Sequence, residues 1–208
     1  MTARTASGHP TLSDQINQVL RRVPTWPVYL IAALPPVWLL YSGLTGGLGA
    51  DPVKALEHEM GELGLKLLIA SLLVTPLRRF TGINLLRFRR ALGLIAFFYI
   101  ALHLLVWLVL DVQIPSQIIA DIVKRPYVTV GMAGFVLLVP LALTSNNWSI
   151  RKLGRRWQNL HKLVYPAILL GAVHFVMLVK GWQVEPLVYL GLCILLVGLR
   201  YLPRRRAG

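Results

Sequence analysis

Residues Trp157 to Val179 read WQNLHKLVYPAILLGAVHFVMLV, an apolar run of 23 residues. A helix of that length at ~1.5 Å per residue crosses the ~30 Å hydrocarbon core of a bilayer. The run nevertheless holds His161 near one end and His174 deep inside. An ionisable side chain within hydrocarbon is costly without a partner and marks a functional position. A second apolar run, Ala91 to Leu110 (ALGLIAFFYIALHLLVWLVL), also has one interior histidine, His103. Two facing membrane helices with one buried imidazole each supply the ligand pair for a haem.

Composition narrows the class. The chain has 208 residues, 56% hydrophobic and only 14% charged, with the apolar residues in blocks too long for a soluble core. This predicts one all-α integral membrane domain. The net charge of +14 does not signal nucleic acid, because the basic residues cluster beside apolar runs, where topology signals lie, and no nucleic-acid motif accompanies them. The single cysteine, Cys193, excludes an internal disulfide, a cysteine-ligated iron–sulfur cluster and covalent attachment of a c-type haem. Any haem is therefore expected to be non-covalent.

Read in order, residues 1–27 are a polar, basic tail ending in an interfacial segment with Trp26. Six membrane helices follow, at Val28 to about Leu44, His58 to Leu77, Ala91 to Leu110, Val128 to Thr144, Trp157 to Val179 and Pro186 to Leu202. The domain spans 28–202, and 203–208 form a basic tail. The second helix has a polar entrance in which Glu62 and Lys66, at i,i+4, are spaced to pair. The segment IPSQIIADIV between the third and fourth helices reads as a short interfacial helix, and the fourth is expected to be interrupted at Gly131, Gly134 and Pro140. The glycine-rich Thr45 to Asp51 turn lacks the preceding strand that a phosphate-binding loop needs.

Seventeen of the 22 Lys and Arg fall in the amino-terminal tail, after the second helix, around the start of the fifth and at the carboxyl terminus. Positive residues stay inside, so both termini are expected in the cytoplasm, the membrane being a bacterial inner membrane. Measured from the cytoplasmic ends, His103 lies twelve residues beyond Ala91 and His174 thirteen beyond His161, each ~18–20 Å up. The two are level, in the half away from the cytoplasm, as axial ligands of one haem must be. Phe97, Phe98, Tyr99, Trp107, Phe175 and Tyr165 are the expected aromatic surroundings. His161 sits at the cytoplasmic edge with no level histidine, and in a straight helix points ~140° away from His174. It is either an interfacial histidine bonding water or a headgroup, or a contact to a second haem, a quinone or a flavin. His58 lies at the far-side mouth of the second helix and His9 in the tail. Arg87, Arg89, Arg90, Arg151 and Arg155 are topology determinants that double as candidate ligands of a flavin phosphate.

The segments PVKALEHEMGELGLKLLIASLLVTPLRR, RRALGLIAFFYIALHLLVW, LALTSNNW and WQNLHKLVYPAILLGAVHF resemble, in order, the MsrQ (YedZ) family, the membrane haem-binding subunits of the periplasmic protein-methionine-sulfoxide reductase system. The resemblance runs from the first helix onward and is most specific around the two histidine segments. It implies a ferric-reductase-like six-helix core with b-type haem, FMN as a further cofactor and quinol as the electron donor. Electrons then pass to MsrP, the periplasmic molybdopterin-containing catalytic subunit that reduces methionine sulfoxide in proteins. It further implies that His103, His161 and His174 are the haem-associated histidines, with His103 and His174 on the iron. The wider ferric reductase and NADPH oxidase group carries two histidines on each of two helices, whereas the third helix here keeps one.

The expected role is thus an electron-transfer subunit in protein repair rather than a complete enzyme, contacting lipid, quinone and a periplasmic partner, and no nucleic acid. Two competing readings are a self-contained ferric or quinone reductase, and a small proton-coupled transporter using the buried histidines. The lack of an evident inverted repeat counts against the transporter.

Overall fold

The computed structural model describes residues 11–179 and 183–201. These residues form ten α-helices and no strand: α1 Leu12–Arg22, α2 Trp26–Leu44, α3 Pro52–Thr81, α4 Arg89–Val106, α5 Pro115–Lys124, α6 Pro126–Leu143, α7 Asn147–Leu153, α8 Arg155–Leu160, α9 Val164–Leu178 and α10 Val184–Tyr201. Six stretches are long and apolar enough to cross a membrane: α2, α3, 86–112, α6, 155–178 and α10. The architecture is the expected all-α, six-span bundle.

α3 is the axial element. Its 30 residues start at Asp51, whose carboxylate accepts from the Lys54 amide, and at Pro52, where a missing N–H costs nothing. They end at Gly82, which adopts the left-handed conformation at φ 77°. One face of α3 (Leu65, Leu68, Ile69, Leu72) joins Leu138 of α6, Ile168 of α9 and Cys193 of α10 in the main core. Leu56 and Met60 join Ile95 and Tyr99 of α4 in a second cluster. The most extensive pairings are α3 with α4 and α6 with α9, so the bundle is built on two helical hairpins. α2 lies at the periphery with no buried residue, anchored where the Tyr99 hydroxyl donates to the Ala32 carbonyl at 2.8 Å. Its exposed Ile31, Leu34 and Trp38 suit a lipid neighbour, which imposes no cost on apolar surface.

Backbone groups in hydrocarbon must be satisfied internally, and prolines test this. Pro76 cannot donate to the Leu72 carbonyl four residues earlier, and Arg200 of α10 fills the gap, its Nη2 donating to that oxygen at 3.0 Å. Glu62 and Lys66 form the expected ion pair, and the Tyr189 hydroxyl of α10 donates to the same carboxylate at 3.4 Å. Lys66 lies fourteen residues from Pro52 and fifteen from Thr81, at the midpoint of α3.

Several local expectations change. Residues 12–22, within the expected amino-terminal tail, are helical: Thr11 and Asp14 make a reciprocal capping box. α1 is tied to the α3–α4 connection by the Asn17 amide donating to Gly82 O (3.0 Å) and by Arg87 donating to the carbonyls of Leu20 and Arg21. α6 is continuous through Gly131, Gly134 and Pro140. The third span ends in a π-helical turn, 107–112, and the fifth is α8 and α9 joined by a 3₁₀ turn at His161–Leu163. That turn lies where Pro166 excludes the α-helical bond to Lys162 O. The 145–159 loop contains α7, capped by Asn146. His9, Lys180, Leu202 and the 203–208 tail lie outside the described residues.

Candidate functional site

The spans alternate in direction, so the start of α3, the end of α4, the start of α6 and the end of α9 meet at one end of the bundle, beside α5. His103 and His174 are brought together there. Their ring centroids are 6.1 Å apart with planes at 74°. Each ring is held from behind: His103 Nδ1 donates to the Glu57 carbonyl of α3 at 2.9 Å, and His174 Nδ1 to the Tyr127 carbonyl of α6 at 2.7 Å. A carbonyl only accepts, so both Nδ1 atoms carry the proton and both Nε2 atoms keep a lone pair. Such backbone anchoring is how ligating histidines are oriented and made more basic.

The spacing fits one metal ion between the rings. Two metal–nitrogen bonds of about 2.0–2.1 Å on opposite sides of the ion, plus roughly 1.1 Å from nitrogen to centroid in each ring, separate the centroids by roughly 6.3 Å. No group of three or more His, Cys, Asp or Glu side chains suited to a metal occurs among the described residues. Two imidazoles alone are an incomplete set for a bare ion; His103 and His174 would supply the two protein ligands of an iron carried by a porphyrin.

The aromatics are arranged differently from the expectation. Tyr127 is the ring beside His174, at 6.1 Å between centroids. Its position one residue before the apolar run that starts at Val128 gave no hint of this. Phe97 stacks on Phe135, Phe175 packs against Tyr189, Tyr165 lies under Arg200, and Phe98 is 47% exposed. Trp107 is buried and Tyr99 serves α2.

His161 lies at the opposite end. Its ring stacks on Trp157 at 3.9 Å, and Nε2 is 3.0 Å from Thr144 Oγ1. The Thr144 hydroxyl donates its one proton to Pro140 O at 2.6 Å, so His161 Nε2 must be the donor in the second bond. Trp157 Nε1 closes the cluster by donating to Thr144 O at 2.9 Å. At this end Arg87 is engaged by α1 and Arg90 donates to Asn147 Oδ1 at 2.8 Å, while Arg151 and Arg155 are exposed. His58 is exposed, next to Glu57.

Residues 60–172 match the family of ferric reductase like transmembrane components. The chain is 56% identical over 168 residues to the protein-methionine-sulfoxide reductase heme-binding subunit MsrQ of Brucella anthropi, covering 80% of this chain and 76% of that one. It is 59% identical over 165 residues to the MsrQ of Brucella ovis, covering 79% and 75%. No solved structure matches. With four fifths of its length aligned at this identity, and the family match running from α3 through α4 and α6 into α9, the chain belongs to the MsrQ family of ferric reductase like transmembrane components.

Proposed function

We propose that this protein is the haem-binding membrane subunit of a protein-methionine-sulfoxide reductase, with His103 and His174 as the axial ligands of one b-type haem within a 28–202 membrane domain. The observation that carries the reading is the 6.1 Å pair of imidazoles, each anchored through Nδ1 with Nε2 available. The names of the relatives, heme-binding subunit MsrQ, agree with it. Bound there, the haem supplies one-electron transfer across the outer half of the bilayer. The Glu57 and Tyr127 carbonyls hold the proton of each neutral imidazole on Nδ1, the tautomer that leaves Nε2 for ligation.

The basic clusters support cytoplasmic termini, which puts His103 and His174 in the periplasmic half. Electrons would enter from quinol, with FMN as a further carrier, and leave to the molybdopterin-containing partner MsrP. His161, at the other end, is suited to the entry side. Alkaline phosphatase fused after Gly208 is expected to be inactive and fusion within 113–121 active; the reverse would invert the direction of electron flow.

The optical and electron paramagnetic resonance spectra of the purified protein test the core of the proposal. A reducible low-spin bis-imidazole signal is expected, abolished in His103→Ala and in His174→Ala while the protein still inserts. An unchanged signal at full haem occupancy in either variant would sink the assignment.

A further inference from the structure

The two histidines sit in two copies of one local arrangement. In the first hairpin, the anchoring carbonyl of Glu57 lies four residues before Gly61 on α3; in the second, that of Tyr127 lies four residues before Gly131 on α6. Each glycine begins a G-x-x-G, Gly61–Gly64 and Gly131–Gly134. Each histidine is on the helix paired with that glycine helix, α4 or α9. The offset between the copies is 70 residues on the glycine helices and 71 on the histidine helices.

In an α-helix the Cα–Cβ bond leans towards the amino terminus, so the side chain at i+4 overhangs the carbonyl at i. Glycine at i+4 leaves that oxygen open to a second donor besides the helical amide. A Cβ at Gly61 would lie 3.0 Å from His103 Nδ1 and 3.2 Å from its Cε1. A Cβ at Gly131 would lie 2.8 Å from His174 Nδ1 and 3.0 Å from its Cε1. Both imidazoles therefore occupy the volume that any other residue would fill. The partner glycines admit the neighbouring helices: a Cβ at Gly64 would meet the Ile100 side chain at 2.7 Å and its backbone nitrogen at 3.4 Å, and one at Gly134 the Ala167 carbonyl at 3.4 Å.

We propose that Gly61 and Gly131 are positioning residues for the haem ligands, the absent side chain of each opening the helix carbonyl that fixes His103 or His174, within a structural unit repeated once about an axis along the membrane normal. This rests on the haem reading above. An alanine at either position displaces the imidazole and breaks the Nδ1–H bond, weakening haem retention and withdrawing electron density from the ligand.

The test compares Gly61→Ala and Gly131→Ala with wild type and with Gly93→Ala and Gly191→Ala, whose added methyls meet nothing within 4 Å. Expected are a roughly 10–100-fold loss of haem affinity, an altered low-spin g tensor and a raised midpoint potential in the first two, larger for Gly131→Ala, and wild-type behaviour in the controls. A folded Gly61→Ala or Gly131→Ala with wild-type g values and potential would overturn the proposal. Should either variant fail to accumulate, it is compared with Gly61→Ala/His103→Ala or Gly131→Ala/His174→Ala. Removing the imidazole removes the clash, so recovery to the level of the single histidine variant supports the proposal. No recovery overturns it, because the glycine would then serve helix packing alone. Wild-type protein without a low-spin signal would instead overturn the haem reading beneath it, so the protein that lacks the signal tells the two failures apart.

Discussion

His174 and His161 are thirteen residues apart on one span, and their surroundings are opposite in kind. His174 is fixed through Nδ1 by a main-chain carbonyl, and its ring lies 6.1 Å from a second imidazole. His161 is fixed through Nε2 by a side-chain hydroxyl and covered by an indole at 3.9 Å. The first arrangement occupies Nδ1 and leaves the Nε2 lone pair unused by the protein; the second spends the nitrogen remote from the backbone on holding Thr144, Trp157 and the end of α6 together. What separates the two histidines is which nitrogen the protein occupies, and on the proposed function that difference divides a ligand from a structural residue.

The strongest way to break this contrast is to exchange the outcomes. His174→Ala and His103→Ala should remove the low-spin signal and leave less than about a tenth of the haem bound, the loss of a ligand exceeding the roughly 10–100-fold cost of losing an anchor. His161→Ala should leave that signal in place and slow reduction by the donor, read by stopped-flow; disappearance of all haem from an inserted variant would place His161 among the ligands. A smaller effect is expected at Thr144→Val, which strips His161 and Pro140 of one shared partner and should cost roughly 1–3 kcal/mol against unfolding in detergent, with the spectrum unmoved. Trp157→Phe keeps the stack and loses only the bond to Thr144 O, about 1 kcal/mol.

The smallest effect concerns α1. Hydrogen bonds from Thr11, first its side chain and then its backbone, hold the Asp14 carboxyl below the usual carboxylate range. A lowered folded pKa means stability present above the unfolded value and lost as pH falls through the folded one. The protection of α1 amides, their exchange rate relative to the intrinsic rate at each pH, should therefore be flat from neutral pH down to about pH 4 and fall below it. Asp14→Asn should flatten that acid limb.

The six spans were legible because hydrocarbon demands continuous apolar helix, and the level placement of His103 and His174 followed from counting residues along two such helices. α1 could have been recognised: Thr11-Leu-Ser-Asp14 is a capping-box pattern ahead of Ile16, Val19 and Leu20 at helical spacing. The glycines of α6 misled because their weakness in water was carried into a membrane, where backbone bonds cannot be surrendered and small residues instead admit a neighbour. The anchors on Glu57 and Tyr127 were out of reach, since a carbonyl acceptor belongs to no residue type. The His161 environment was hidden similarly, because the 3₁₀ turn before Pro166 changes which way that ring points.

Glu62 and Lys66 have an electrical consequence for the whole bundle. A single charge displaced through a membrane potential exchanges about 2.3 kcal/mol per 100 mV, and α3 carries two ionised groups at its middle, in the steepest part of any field. They sit one turn apart as an ion pair, braced by Tyr189. The pull on the carboxylate and the push on the ammonium are therefore equal and opposite, leaving a short dipole and no gating charge. Energising or collapsing the membrane therefore exerts no net force on α3, the helix from which the His103 ring is hung, through this pair.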